Sequence, residues 1–331
     1  MAIEWAISPD LTPGAESGID SGMATKTTKP LLTLSGMERQ YATEDDCKAL
    51  LQKLRWPDGK IHCPRCGLSL KVYKTSEAFR WKCKHCNKNG YRFSVLTGTV
   101  FENTNMPLRT WFKVAFLMVS SKKGISAMQV FRMIDPVRGA EGSYKTAWYM
   151  CHRLRAAMKD GFFRKLTGEV EVDETYIGGK AKNRHGGMLP DKRKRGIGSA
   201  GTLGKVPVVG AIARKGNVVC QVIERTDART LQGFINETVS ERVSLVATDE
   251  HRGYEYMDRP YESVNHAKGE YVRGNGHTTN LDSFWSLLKR GIVGTFHKVS
   301  KDHLPLYLNE FSWRHNNRHN DEIFYDLLAG C

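Results

Sequence analysis

The apolar positions of this chain change period along its length, and each change marks a new part. Residues 1–35 are rich in Thr, Ser, Gly and Lys and show no sustained period, so they read as a disordered lead. A helical pattern follows Thr43, an N-cap ahead of the first-turn acids Glu44, Asp45 and Asp46. Between residues 60 and 100 the pattern breaks into short strand-like pieces and turns around cysteines. Three helical stretches come next: Pro107 to Ser121 with proline in its first turn, Ser126 to Ile134, and Ser143 to Lys159. The last two open on serine caps.

From residue 168 the period is that of strands. A strand-like run covers Val170 to Tyr176, and Val206 to Ala213 and Val218 to Glu224 flank the hairpin turn Arg214 to Asn217. A helix from Arg229 to Val239, the strand Val243 to Thr248 and a helical pattern over Leu281 to Lys289 complete the order. Strands first, then alternating helix and strand, predict an α/β fold with a mixed sheet. The Gly-rich, basic stretch Lys180 to Lys205 reads as a long exposed loop. These shifts divide the chain into a lead (1–36), a cysteine-rich segment with a preceding helix (37–100), a helical segment (101–165) and a sheet domain (166–331).

The chain has 331 residues and a net charge of +15, which points to a polyanionic partner, nucleic acid first. No apolar run reaches the ~18 residues of a membrane span, and the start lacks a secretory pattern. A cytoplasmic, nucleoid-associated location follows as an expectation, with thiols kept reduced. Ser199 to Val206 is not a P-loop: serine stands where the first glycine belongs, and Val206 follows Lys205.

Cys63-x2-Cys66 and Cys83-x2-Cys86, sixteen residues apart, have the spacing of a four-cysteine zinc ribbon. A segment this small buries little core of its own, so Zn²⁺ would supply its folding energy. Lys60, Arg65, Lys71, Lys74, Arg80 and Lys82 crowd it, with Tyr73, Trp81, Tyr91 and Phe93 between them, a mixture that favours nucleic acid. Residues 126–159 have the layout of a helix-turn-helix, in which Lys145 and Arg153, with His152 and Arg155, would meet phosphates or bases. A plain helical linker packing Trp111, Phe112, Phe131, Trp148 and Leu154 fits the same pattern. Lys192, Arg193, Lys194 and Arg195 in the basic loop, and Arg290 beside Lys289, are further candidates for DNA contact.

Three carboxylates lie in three different settings. Asp173 is inside a strand, where Glu171 and Thr175 share its face; Asp249 ends a buried strand; Asp282 opens a helix and stands seven residues before Lys289, on one face with it. Carboxylates that converge in this way can hold two divalent cations around a phosphodiester. Alone, Asn280 and Asp282 also read as an N-cap and a first-turn dipole residue.

Val172 to Lys180 and Thr248 to Tyr254 resemble the first two acidic motifs of the zinc-ribbon insertion-sequence transposases with a DDE catalytic domain. Phe284 to Ile292, Gly294 to Ser300 and Glu310 to Asn316 resemble the third, and Leu54 to Gly59, Cys63-Pro64, Ser143 to Trp148 and Glu262 to His266 are also similar. The resemblance covers about residues 37–320. It implies a ribonuclease H-like catalytic domain, Mg²⁺ or Mn²⁺ between Asp173, Asp249 and Asp282, and Lys289 on a DNA phosphate, with His266 near the site. It implies binding of double-stranded DNA at the element's terminal inverted repeats, cleavage and strand transfer into target DNA, and a homodimer or larger synaptic assembly. The family usually carries Glu where this chain has Asp282; some relatives use Asn, which keeps Asn280 as the alternative third ligand. A repurposed DNA-binding protein that no longer cuts is the competing expectation.

Overall fold

The structure, a computed structural model, describes residues 32–134, 143–159, 165–178, 204–214, 216–249, 259–264 and 279–331. Thr33 to Cys331 belong to one compact unit. Two helices open it, α1 (Leu34–Gln40) and α2 (Glu44–Arg55). α1 lies partly within the stretch that periodicity leaves unstructured, capped by Thr33, which accepts from Gly36 N. Thr43 caps α2 in a reciprocal box with Asp46. A small antiparallel sheet follows, β1 (Val72–Lys74), β2 (Arg80–Cys83) and β3 (Tyr91–Ser94). Trp81 and Phe93 stack on its inner face, and Trp56 from the end of α2 meets Trp81 edge-on at 5.2 Å.

The helical segment forms α3 (Leu108–Ser120), α4 (Ala127–Met133) and α5 (Tyr144–Ala157). Ser126 and Ser143 cap the last two, as their sequence positions predict. Pro107 offers α3 no capping side chain. The carboxylate of Glu44 in α2 does that job instead, accepting from Leu108 N at 2.9 Å and Arg109 N at 3.2 Å.

The larger sheet has the order β6-β5-β4-β7-β8, with β4 (Glu169–Ile177) at its centre. β5 (Val206–Ala213) and β6 (Val218–Val222) continue it antiparallel; β7 (Leu245–Asp249) and β8 (Tyr261–Val264) continue it parallel. Both faces are covered. Val170, Val172, Val209 and Ala211 pack with Leu231, Phe234 and Ile235 of α6 (Ala228–Thr238). Ile177, Val208 and Ile212 pack on the other side with α7 (Thr279–Gly291) and α8 (Leu304–Asn316). β4 therefore turns its even-numbered residues to α6 and its odd-numbered ones, Glu171 and Asp173 among them, to α7. The last helix, α9 (Ile323–Gly330), packs on α2 and α3, and Cys331 O accepts from Val100 N at 2.8 Å.

Candidate metal centre and nucleic-acid interface

The four cysteines around the small sheet meet. Cys63, Cys66, Cys83 and Cys86 present their sulfurs within 4.8 Å of one another, with Cys63–Cys86 at 3.7 Å and Cys66–Cys83 at 3.9 Å. A tetrahedral ion with Zn–S bonds near 2.3 Å sets sulfurs about 3.8 Å apart, so the residues fit zinc in size as well as in ligand type. Gly67, at φ +72°, and the bond Gly67 N to Cys63 O at 2.8 Å make the first tight turn.

β4 and β7 pair in parallel through Glu169–Leu245, Val170–Val246 and Glu171–Ala247; Asp173 lies two residues beyond the last of these pairs on β4, and Asp249, two beyond it on β7, ends that strand. α7 then docks on β4 at two points. Buried Glu171 accepts from Asn280 N (3.0 Å), Leu281 N (3.0 Å) and Asn280 Nδ2 (2.7 Å), so a carboxylate sits on the helix N-terminus. One turn further, Trp285 Nε1 donates to Asp173 Oδ2 at 3.0 Å. Asp282 is exposed in the first turn of α7, three residues before Trp285, and Lys289 is exposed two turns along. The two acids that share the strand face thus have different settings: Glu171 holds the end of α7, and Asp173 meets an indole N–H.

The basic candidates separate. Lys145 is exposed on α5. The Arg153 guanidinium turns to the carbonyls of Glu102 and Thr99 and lies over Trp111 and Tyr149. Two other residues of this helix correct the expectation of DNA contact. Arg155, 1% exposed, pairs with Glu310 of α8 at 2.6 Å and lies over Tyr307. His152 is buried against Trp148, His303 and Tyr307, and burial, with the charges of Arg155 and His303, pushes its pKa down to about 4. Both face inward because α5 packs against α8, a contact that periodicity within one helix does not reveal. Of the ribbon's interleaved aromatics, Trp81 and Phe93 are core, while Tyr73 is exposed beneath Lys84. Lys192 to Arg195 and His266 lie outside the described residues.

The transposase zinc-ribbon domain model matches residues 42–89, and the ISXO2-like transposase domain model matches residues 165–316. A protein of the transposable element ISH50 from Halobacterium salinarum is 31% identical over 83% of this chain and 92% of its own length. The chain belongs to the ISXO2-like transposases. A transposase-like protein of Haemophilus influenzae is also similar, 31% identical over 31% of this chain and 84% of its own length. The transposase has the mixed sheet of a ribonuclease H-like DDE domain behind an N-terminal zinc ribbon. Among its described residues no helix is long and apolar enough to cross a membrane.

Three residues organise this site in roles the sequence did not assign: Glu171, there only a rival of Asp173 on the strand face, is the partner of α7, Trp285 is the donor to Asp173, and Gly210 makes room for the indole. Gly210 pairs with Asp173 across the β4–β5 ladder, and a Cβ there would stand 2.7 Å from the Trp285 ring. A glycine within an apolar strand is the one cue, since it marks a close approach.

Proposed function

We propose that this transposase cuts and rejoins double-stranded DNA at the terminal inverted repeats of its own element, with Asp173, Asp249 and Asp282 holding two divalent cations. One observation carries the reading: the Trp285–Asp173 bond fixes α7, with Asp282 on it, against β4, the strand that pairs in parallel with the one ending at Asp249. Three carboxylates are an oxygen donor set suited to Mg²⁺ or Mn²⁺. Such cations, when bound, supply activation of the attacking hydroxyl and stabilisation of the leaving oxygen.

The chain's own groups do the rest. The indole N–H orients Asp173. Lys289, two turns from Asp282, holds a DNA phosphate in register with the acids. Asn280 is the runner-up for the third ligand: its Nδ2 donates to Glu171, and its side-chain oxygen is the atom that would meet a cation. On this reading residues 37–100 are the ribbon module, 101–165 the helix-turn-helix module with Lys145 outermost, and 166–331 the catalytic domain. Lys192 to Arg195 and Arg290 add phosphate contacts, and the protein works at the nucleoid. Joining two ends calls for a homodimer or larger assembly.

The test is cleavage and joining of an end-sequence oligonucleotide with Mg²⁺. Asp173→Asn and Asp249→Asn are expected to abolish both while leaving DNA binding intact. Variants that cut as well as the unaltered protein overturn the mechanism, and binding without any cutting by the unaltered protein leaves a DNA-binding protein only.

A further inference from the structure

The helical segment has a cleft on the flank of α5. A cavity of ≈ 480 Å³ opens between that helix and the turn over residues 102–106 that leads into α3. Its volume lies within the ~300–1,000 Å³ typical of small-molecule sites. Both walls are held from behind. On the turn, Thr104 Oγ1 accepts from Trp111 Nε1 at 2.8 Å and from Met106 N at 3.1 Å. Asn103 sits there at φ +55°, a left-handed conformation that asparagine tolerates better than most residues. On α5, Thr146, Tyr149 and Arg153 line the cavity at i, i+3 and i+7, one face of the helix. The Arg153 guanidinium ties the two walls together. It donates to Glu102 O at 3.2 and 3.3 Å, and its carbon lies 5.5 Å from the centre of the Tyr149 ring and 5.9 Å from that of Trp111.

The lining selects by shape and edge chemistry rather than by charge. Its two charged side chains, Glu102 and Arg153, have opposite signs, and Arg153 turns donors to backbone carbonyls, so neither an anion nor a cation is favoured. What the cavity does present is a tyrosine ring, 53% exposed, with Asn103 and Asn105 on the opposite wall. Both asparagines are exposed, and neither side chain bonds to another described residue. Each carboxamide sets a donor beside an acceptor. A neutral, flat ligand with a π face and a polar edge fits this set, and a nucleobase is such a ligand. Lys145 is exposed one turn before Tyr149, at i, i+4, so a phosphate that it holds leaves the DNA strand beside Tyr149.

We propose that this cavity receives one nucleobase turned out of the duplex at the transposon end, stacked on Tyr149 and read along its edge by Asn103 and Asn105. A paired base cannot enter, because its edge faces its partner and its rings are stacked within the duplex; swinging it out frees both. Arg153 braces the walls on either side of the base. The proposal rests on the reading that the protein acts on DNA, but not on the assignment of the catalytic acids.

The experiment uses the full chain and end-sequence duplexes in which an abasic residue replaces one base at a time. Opposite the base that turns out, the abasic residue removes the pairing that resists the move. The unaltered protein is therefore expected to bind that duplex about tenfold more tightly than the intact one. Tyr149→Ala should lose this gain and Tyr149→Phe should keep it. Asn103→Gly, which removes the carboxamide and suits the left-handed backbone, should reduce it. Melting curves and zinc content establish that the variants fold, and Asn103→Gly, at an exposed site, decides the matter if Tyr149→Ala does not. A duplex series with no such position overturns the proposal. So does a gain that survives in the variants, which would come from the flexibility of the abasic duplex. Competition by a free mononucleotide as effective as that by the oligonucleotide overturns it too, since the cavity would then be a site for nucleotides. Cleavage by the unaltered protein without a gain at any position sinks the base cavity and spares the catalytic reading. A gain that Tyr149→Ala abolishes, with no cleavage, does the reverse.

Discussion

The indole N–H of Trp285 reaches Asp173 Oδ2, at 3.0 Å, only because residue 210 has no side chain. A Cβ on Gly210 would stand 2.7 Å from two carbons of the Trp285 ring, inside any real carbon–carbon contact. A glycine in β5 thus sets where a helix about seventy residues later can rest, and so how one oxygen of Asp173 is held. Trp285→Phe keeps most of the apolar contact and removes the donor. Cleavage is expected to fall about 10- to 100-fold, the effect typical of losing a hydrogen bond to a metal-binding group. The fall should be largest at low Mg²⁺ and shrink at high Mg²⁺, which a purely structural defect would not do. Gly210→Ala should cost about 1–3 kcal/mol of stability by overpacking, read from urea unfolding.

Glu171 and Asp173 share a strand face, and a charge-removing substitution separates their roles. Glu171 is fully buried with three donors from α7 on it. Glu171→Gln turns one acceptor into a donor facing backbone N–H groups, and is expected to cost about 1–3 kcal/mol. Cleavage should fall only as far as the folded fraction falls. A stably folded Glu171→Gln protein with no cleavage at all would instead make Glu171 a metal ligand.

The ribbon should depend on its metal. Elemental analysis is expected to find one zinc per chain, absent from Cys66→Ser. Trp56 and Trp81 report on the same unit through their edge-on contact, so chelation should shift tryptophan emission toward that of solvent-exposed indole. Emission unchanged after complete zinc loss would show a ribbon that folds without it.

A buried ion pair joins the helical segment to the transposase-family domain. Arg155 and Glu310 are 1% and 0% exposed, and Arg314 lies 3.5 Å from the same carboxylate. Breaking such a pair leaves a charge buried without its partner, and Glu310→Ala is expected to lose about 3–5 kcal/mol. Arg155→Met combined with Glu310→Leu should lose less than the sum of the single changes. Additive losses would show that the two side chains are not coupled.

Acid should weaken the same junction through His152. Burial, with the charges of Arg155 and His303, holds its folded pKa at about 4, against about 6.5 in an unfolded chain. Above that unfolded value both states are neutral and its contribution is complete. As pH falls toward 4 the unfolded chain takes up a proton that the folded one refuses, and stability is lost. His315, also pushed down to about 4, mainly by burial, acts in the same direction. His152→Phe is expected to flatten the decline in melting temperature between pH 6.5 and 4. A decline as steep as that of the unaltered protein would remove His152 from the account.

Much of this architecture is local and therefore legible in the chain itself. Caps at Thr43, Ser126 and Ser143 and the hairpin from Val206 to Val222 depend on contacts a few residues apart, and they form where the sequence places them. The paired CxxC turns act the same way, since the ligand spacing already encodes the sulfur cluster. Helical phase alone sets Asp282 and Lys289 on one side of α7. What lies between elements was decided only in three dimensions. Periodicity could not tell Glu171 from Asp173, because both point to one side of β4 and only the docking of α7 gives them different partners. Nor could it turn His152 and Arg155 inward, since their burial is made by α8, about 150 residues away. Short-range patterning fixes each element's geometry, whereas the partner of a buried polar group is chosen by packing between distant segments, and no local pattern carries that choice.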